Sequence, residues 1–562
     1  MPGESHPGQP GMAFCFGSQS RSKGVAMTQA VIIVGYLAVV FTIGILARRR
    51  ARQSQEEFFL AGRTLGPVIL LLTIAATNFS AFTVFGFAGA GYRFGYAYYP
   101  IMGFGTAFMA LSFLLIGVPI WRAGKRLGAV SPPELIWLRF KNRPLRVAYL
   151  VVMVVFTLPY LAIQPMGAGY ALQGLLGIPY VWGAALVTLV VVGYVLVGGM
   201  RGVVWTDALQ GVLMLGAMAV VFLGLARALG GFTAANSRVF EELPELFTRP
   251  GGGARFTLGI WFSYMALWFL CDPMFPQLFQ RFLAARDSRS LRMTTLFYPL
   301  VTGVLFFLPV GIGVMGRLVV PGLESKATDQ ILPLAVGKLL PGWVGALAIG
   351  CGLAALMSTM DSQLLTLGSM FVRDVRQLTS ARRTRFLGKR LVVVLLALAG
   401  LALAIRPWST ILEIATETFT GLAVLFPVTL AAVYWRKTNP WAGLGSIIVG
   451  EAMVVLYHFK LLPGFGLLPV IPVIVVVTAV LIIGSLVAPA RELESLARFP
   501  RKAWRWTAVF GIVFLLGIDF WNWNQAQLFW LNLPAWVWYF FGLTLLLFLL
   551  IALYLWTRKR AR

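Results

Sequence analysis

Polar residues interrupt one apolar segment of membrane-spanning length. The stretch Ile74–Thr83 lies inside the apolar run 66–91. Four polar side chains stand in it at about mid-membrane depth: Thr77, Asn78, Ser80 and Thr83. A spanning helix satisfies its own backbone hydrogen bonds and needs no such residues. They indicate either a helix that breaks and offers backbone carbonyls to a cation, or close helix packing through small residues and hydroxyls.

A second stretch, 350–365, places hydroxyl groups on one face of a helix. Ala355, Ser358, Thr359 and Ser362 recur at helical spacing. Hydroxyls and carbonyl oxygens form a small uncharged site, which suits a monovalent alkali cation better than a divalent ion that prefers carboxylates. The alternative is that the hydroxyls only bond back to the preceding turn of their own helix.

Two aspartates lie in or near apolar segments, Asp207 and Asp361. A carboxylate near the membrane centre costs roughly 2.5–3.5 kcal/mol on insertion scales, so its usual explanation is a functional one. The alternative for Asp207 is an ion pair with Arg201 at the inner end of the same helix.

Composition defines the class of protein. The chain has 562 residues, of which 59% are hydrophobic and 12% charged, whereas soluble domains carry about 25% charged residues. It is therefore predicted to be an all-α polytopic membrane protein. Three cysteines and two histidines leave little material for a disulfide framework, a metal site or a histidine-based catalytic site, so we predict no enzyme. Residues 1–26 are predicted to be a disordered tail.

Apolar runs of about 18 residues or more mark candidate spans. The sequence predicts about fifteen: 29–47, 66–92, 95–121, 146–172, 180–199, 203–226, 257–280, 293–320, 342–372, 390–405, 410–434, 441–459, 467–488, 506–523 and 534–556. With the N-terminus outside and the C-terminus inside, most of the 47 Lys and Arg fall on the cytoplasmic side, as the positive-inside rule requires. The net charge of +27 then reflects topology and anionic inner-leaflet lipid, not nucleic acid.

The span 257–280 is interrupted as well. Its segment Trp268–Pro276 contains two prolines and Asp272, and proline removes a backbone donor and clashes with the preceding turn. It follows the broken span 66–92 by five spans, so the two halves must run in opposite directions. Interrupted helices at matching places in two halves indicate a transporter substrate site. The predicted organisation is an extra helix 27–48, two inverted five-helix repeats at 66–227 and 257–434, and about four extra helices in 441–562.

Two longer loops, 228–256 and 321–341, are predicted on the outer side. The second contains Asp329–Leu340, which has the pattern of a short amphipathic helix. This helix is either a plain surface element or a gate over the outer mouth.

Four segments together resemble the signatures of the sodium/solute symporter family. They are Ala76–Ser80, Val204–Gln210, Gln280–Arg286 and Ala354–Ser362. The resemblance covers about residues 27–490, and the family includes carriers of sugars, proline, pantothenate, monocarboxylates and sialic acid. It implies the inverted repeat of the leucine-transporter fold, a multi-pass protein of the plasma (inner) membrane, and sodium-coupled uptake of a small organic solute by alternating access.

Carried over residue by residue, the resemblance implies one main sodium site. Its ligands would be the carbonyls of Ala76, Phe79 and Ala355 and the hydroxyls of Ser358 and Thr359. Asp207 matches an aspartate on the inner sodium-release path of the family. In some members it joins the positions of Ser358, Asp361 and Ser362 in a second sodium site. Asp361 stands here where that second site typically has a hydroxyl.

The solute pocket is predicted between the two breaks. Its candidate residues are Asn78, Ser80, Thr83, Tyr99, Trp268, Cys271 and Asp272. Sugar carriers line this place with amides and acids, whereas Phe82, Thr83 and Met102 stand here, which argues against a sugar. Half-helix N-termini attract carboxylates, and an ionised Asp272 would favour a zwitterion over a plain anion. A protonated or paired Asp272 would not, so an amino acid, another zwitterion and an organic acid all stay open.

Two other functions compete with sodium symport. One is a proton-coupled or uncoupled carrier of a small carboxylate. The other is a transporter-like sensor, which in this family carries a soluble signalling domain after the last span. The chain ends at Arg562, just after a span, which argues against the sensor. A functional monomer is expected.

Overall fold

The computed structural model describes residues 23–49, 55–375, 386–488, 495–497 and 503–560. Within these ranges every regular element is a helix, so the all-α prediction is confirmed. Of the predicted tail 1–26, residues 1–22 lie outside the described residues.

Eighteen helices form the body of the structure. They are α1 (Lys23–Arg49), α2 (Pro67–Asn78), α3 (Phe87–Phe94), α4 (Tyr98–Met109), α5 (Val118–Leu127), α6 (Arg143–Leu176), α7 (Tyr180–Ala228), α8 (Leu258–Cys271), α9 (Pro276–Ala284), α10 (Ser288–Gly316), α11 (Gly342–Met370), α12 (Phe386–Ala404), α13 (Ile411–Ala423), α14 (Leu425–Tyr434), α15 (Pro440–His458), α16 (Val470–Val487), α17 (Ala503–Leu516) and α18 (Ala535–Arg560). Four further helices connect them, at Gln55–Leu60, Pro132–Phe140, Phe232–Glu242 and Ile331–Leu339.

Eleven helices of the described ranges are long and apolar enough to cross a membrane, or up to twelve if the bent pair α8 and α9 is one span. Two of the eleven are far longer than the roughly 20 residues that one crossing needs: 82–127 with 46 residues and 180–228 with 49. The second contains a break at Gly199, whose φ of 57° favours glycine. The count of fifteen spans and the orientation with the N-terminus outside stay predictions.

Both expected helix breaks are present. Helix α2 ends at Asn78, the backbone at Phe79 is extended (φ −88°, ψ 94°), and the chain resumes as a π-helical turn, Phe82–Gly86, that runs into α3. Helices α8 and α9 meet at an angle of 55°. The repeat boundaries and the inverted relationship between the halves stay predictions.

Side chains satisfy the backbone donors that the first break exposes. The N–H of Ala81 donates to Gln164 Oε1 at 3.1 Å, and the N–H of Phe82 donates to Ser80 Oγ at 3.1 Å. Backbone donors at the start of a helix have no partner within it, and a buried donor without a partner is costly. Ser80 and Gln164 therefore stabilise the broken helix.

The last two helices are tied to the core by a buried arginine. Arg249, from the loop before α8, donates to Asp519 Oδ2 at 2.5 Å, and both side chains are fully buried. Its guanidinium lies 3.8 Å from the ring centre of Trp261 and 4.9 Å from that of Trp523. Ring stacking and ion pairing together favour arginine over lysine here, and they fix the hairpin between α17 and α18 against α8.

The loop that contains Asp329 packs onto the core. It consists of a 3₁₀ turn, Ser325–Gln330, and the helix Ile331–Leu339, whose apolar face is buried. Asp329 is fully buried, and its Oδ2 accepts a hydrogen bond from the N–H of Ile411 at 2.9 Å. Burial raises the pKa of Asp329 to about 7, and the Ile411 hydrogen bond and the positive charge of Arg93 partly oppose that rise.

We expect Asp329→Asn to reduce the pH dependence of thermal stability. The folded protein keeps the Asp329 proton up to about pH 7, whereas the ordinary pKa is 3.8. The folded state therefore loses stability as pH rises between those values, by at most about 1.4 kcal/mol per pH unit. The amide keeps an oxygen for the Ile411 N–H. From about pH 5 to about pH 8, the melting temperature in detergent should fall less for the variant; an equal fall in both proteins would contradict this.

Candidate functional site

Two hydroxyls of α11 contact the broken end of α2. Ser358 Oγ donates to the carbonyl of Ala76 at 2.8 Å and to that of Ala355 at 3.0 Å. Thr359 Oγ1 donates to the carbonyl of Thr77 at 2.9 Å and to that of Ala355 at 3.3 Å. The last carbonyls of a helix have no partner within it, so the break makes them available. Five oxygens from two helices thus form one buried cluster.

This oxygen cluster fits a monovalent cation. A hydroxyl rotates freely and offers two lone pairs, so Ser358 and Thr359 could turn their hydrogens away and bind an ion together with the carbonyls. The five oxygens carry no formal charge, unlike the carboxylate ligands that calcium and magnesium sites use.

Four of the five predicted ligands are in this cluster, and Phe79 is not among its contacts. Phe79 follows the end of α2 with an extended backbone, and its N–H still donates to the carbonyl of Ala75 at 2.9 Å. The carbonyl that Thr359 contacts is that of Thr77. The sequence predicted the position of the break. It did not identify which carbonyl the break leaves without a helical partner, because the identity of that carbonyl depends on the residue at which α2 ends.

Asp207 forms a buried ion pair with Arg281 of α9. Arg281 Nη2 donates to Asp207 Oδ2 at 2.9 Å and to Ser362 Oγ at 2.5 Å. Thr73 Oγ1 also donates to Asp207 Oδ2, at 2.5 Å, and both charged side chains are fully buried. The alternative pairing of Asp207 with Arg201 is therefore wrong.

The guanidinium of Arg281 bonds to two of the residues that were expected to hold a second sodium ion. Asp207 and Ser362 both bind it, and Asp361 is held by Tyr194, whose hydroxyl donates to Asp361 Oδ2 at 2.6 Å. A second cation beside a buried arginine would repel it at short range in a low dielectric. The residues Asp207, Asp361 and Ser362 do not fit a second sodium site while Arg281 is in place. The sequence motif contained Arg281, but only the fold brings its side chain to Asp207 and Ser362.

A cavity lies between the two breaks and is lined mostly by aromatic side chains. Its lining residues are Asn78, Phe82, Thr83, Phe87, Met102, Thr106, Tyr160, Trp268, Asp272, Phe275, Phe306 and Phe419. The free volume is about 10 Å³, close to the least that holds one water. A solute therefore enters only if these aromatic side chains move.

Four of the seven predicted solute residues line this cavity: Asn78, Thr83, Trp268 and Asp272. Ser80 lies beside it and accepts a hydrogen bond from Tyr160 OH at 3.1 Å. Cys271 lies behind Asp272, with Sγ at 3.4 Å from Oδ1. Tyr99 is elsewhere: its hydroxyl donates to the carbonyl of Gly303 at 3.0 Å.

The cavity has one acid and no base among its lining residues. Asp272 Oδ2 accepts a hydrogen bond from Asn78 Nδ2 at 3.2 Å, and Asn78 also donates to Tyr298 OH at 2.7 Å. Two buried polar atoms of the lining have no hydrogen-bond partner, Trp268 Nε1 and Thr106 Oγ1. Sequence reasoning missed Tyr160 and Phe419, because they come from distant helices and belong to no local pattern.

The broken end of α2 contributes carbonyls to an uncharged oxygen cluster with α11, and residues of both helix breaks line one aromatic cavity. This arrangement is typical of an ion-coupled membrane carrier. The family model described as the Sodium:solute symporter family matches residues 58–450, and the chain belongs to this family. The earlier resemblance is thereby confirmed. Because its relatives are transporters, the prediction that the chain is no enzyme is confirmed as well, as is its place as a multi-pass protein of the plasma (inner) membrane.

Curated relatives and solved structures agree with this. The chain is 26% identical over 433 residues to the sodium/pantothenate symporter of Haemophilus influenzae, covering 75% of this chain and 89% of that one. It is 29% identical over 450 residues to the high-affinity proline transporter PutP of Bacillus subtilis, covering 75% and 92%. The structure of a Na⁺-coupled sialic acid symporter matches with a TM-score of 0.70 at 20% identity, covering 83% and 99%. That likeness shows the fold, which is leucine-transporter-like.

We expect Arg281→Gln to destabilise the protein strongly. It leaves Asp207 as a buried charge without its partner, at a cost of about 3–5 kcal/mol. The double variant Arg281→Gln/Asp207→Asn removes both charges and should recover most of the lost melting temperature. Arg201→Gln is the matched control, because Arg201 pairs with Glu57 at 2.6 Å and is 29% exposed. A single variant Arg281→Gln that melts like the Arg201→Gln control would contradict the buried pair.

Proposed function

We propose that this protein is a secondary active transporter that couples inward movement of sodium to uptake of a small organic solute by alternating access. One observation carries the proposal: Ser358 and Thr359 of α11 contact the freed carbonyls of Ala76 and Thr77 at the end of α2. The next residue, Asn78, lines the aromatic cavity. One helix end thus contacts both the ion cluster and the solute cavity.

Sodium in the cluster would tie α11 to α2 and order the residues that the solute contacts. Coupling of this kind is reciprocal, so the solute must increase sodium affinity by the same factor by which sodium increases solute affinity. We propose that one sodium ion is moved per cycle, since Arg281 holds the second position. The membrane potential then contributes about 2.3 kcal/mol per 100 mV for the charge moved.

We propose a zwitterion as the solute, either an amino acid or a betaine-like compound. An ammonium group suits Asp272 and the surrounding aromatic faces, which attract cations by their ring quadrupoles. The unpartnered donors Trp268 Nε1 and Thr106 Oγ1 suit a carboxylate. The proline transporter among the relatives supports this class, and the pantothenate symporter keeps an organic acid as the competing solute. We propose that the monomer is the functional unit.

A proton-coupled carrier is the second candidate. It is favoured by Asp272, a buried carboxylate in the cavity with no base among the lining residues. Uptake driven by a pH gradient in sodium-free buffer would select this candidate over sodium symport.

We expect the double variant Ser358→Ala/Thr359→Ala to abolish sodium-stimulated uptake into proteoliposomes. Loss of two oxygen ligands should weaken apparent sodium affinity more than tenfold, which corresponds to about 1.4 kcal/mol. Thr294→Ala/Thr295→Ala is the matched control, because these adjacent buried hydroxyls bond only to their own helix, at the carbonyls of Ser290 and Leu291. If both double variants respond to sodium like the wild type, the assignment of the ion cluster is wrong.

We expect Asp272→Asn to change which solutes bind. Sodium-dependent thermal shifts by proline and glycine betaine should be lost, because the variant lacks the charge that pairs with the solute's cationic group. The shift by a plain monocarboxylate should stay or increase. Tyr99→Phe is the control and should behave like the wild type, because the Tyr99 hydroxyl lies outside the cavity. Unchanged binding of the zwitterions to Asp272→Asn would contradict the proposed solute class.

A further inference from the structure

A large cavity lies away from the ion and solute sites. Its volume is about 490 Å³, and residues of α4, α8, α14, α17 and α18 line it. The lining residues are Phe108, Leu111, Leu114, Leu115, Phe262, Ala266, Phe269, Leu270, Tyr434, Trp506, Thr507, Phe510, Gly511, Phe514, Tyr554 and Arg558. We propose that this groove binds one anionic phospholipid, with an acyl chain among the aromatic rings and the phosphate at Arg558.

The groove has the depth of one leaflet. It runs along α17 from Trp506 to Phe514, a rise of about 12 Å at 1.5 Å per residue. Half of a hydrocarbon core about 30 Å thick is similar. Most of the apolar side chains that line it are only half-buried, so the groove is open along its side. An acyl chain can therefore enter from the bilayer, whereas a polar solute would find almost no hydrogen-bond partners along the wall.

Charge is confined to one end of the groove. Arg558 lies over the ring of Tyr554, with 5.0 Å between Cζ and the ring centre. Arg558 and Arg122 are both in electrostatic range of the Tyr434 hydroxyl, and Arg558 and Arg292 are in range of that of Tyr554. Arg558 is the basic residue that lines this end of the groove, and the positive charges of Arg122 and Arg292 act on the two tyrosines beside it. Guanidinium groups bind phosphate by paired hydrogen bonds.

The predicted topology places this mouth on the cytoplasmic side, where anionic lipids attract basic residues at membrane surfaces. An apolar tail with a phosphate head matches a groove that is apolar along its length and basic at one end. The lipid would also fill the space between the core and α17 and α18, which the ion and solute sites do not use. It would pack on Phe269 and Leu270, next to Trp268 of the solute cavity.

The experiment measures phosphatidylglycerol that stays bound to the purified full-length protein, by mass spectrometry, after washing in detergent. Gly511→Trp fills the groove, because Gly511 lines it and an added Cβ would meet nothing within 4 Å. Gly216→Trp is the matched control, since Gly216 on α7 is exposed and equally free of neighbours. Arg122→Gln/Arg558→Gln removes two positive charges at the basic end of the groove, and Arg227→Gln/Arg255→Gln removes two positive charges elsewhere.

The wild type and both controls should retain one phosphatidylglycerol per chain, and both groove variants should lose it at least fivefold. Equal retention in Gly511→Trp and Gly216→Trp would overturn the groove as the acyl site. Equal retention of phosphatidylcholine and phosphatidylglycerol by the wild type would overturn recognition of the anionic head. Lipid retention is measured without transport, so the lipid assignment and the transport function fail separately.

Discussion

The contact between the hydroxyls of α11 and the carbonyl end of α2 is the interaction on which the functional account depends. Helix α2 can end at mid-segment only because other groups satisfy the polar backbone atoms that the break exposes. Ser358 and Thr359 hold the carbonyls, and Ser80 and Gln164 hold the N–H groups on the other side. The break is thus a stable structure in which carbonyls can exchange a hydroxyl hydrogen for a cation.

The two buried aspartates near this contact, Asp207 and Asp272, have different kinds of partner. Asp207 is neutralised by Arg281, so the space beside the ion cluster already contains a fixed positive charge. Asp272, by contrast, has only neutral partners, Asn78 and Cys271. Breaking a buried pair is costly because it leaves an uncompensated charge, whereas an acid held by neutral donors can accept a cationic group from a solute. In the proposed cycle, Asp207 therefore stays paired with Arg281, whereas Asp272 accepts the cationic group of the solute.

Much of the fold was predictable from the sequence, because the signals were local. Polar residues and prolines in apolar runs marked both breaks, and the spacing of Ser358 and Thr359 marked the helix face that meets the first break. The partner of Asp207 was not predictable, because Arg201 is near in sequence whereas the side chain of Arg281 reaches Asp207 only through the packing of α9 against α2 and α11. Tyr99 was misplaced and Tyr160 was missed for the same reason: periodicity gives the face of a helix but not its neighbour. The groove beside α17 and α18 left no local motif at all.

The central claim is that one sodium ion at the α2–α11 contact is moved together with one solute molecule. Simultaneous measurement of sodium and solute uptake into proteoliposomes tests it most directly, with the zwitterion that gives the largest sodium-dependent thermal shift. We expect a sodium-to-solute ratio of one and uptake that stops when the sodium gradient is removed. A ratio of two, or uptake that continues without sodium under a pH gradient, would contradict it.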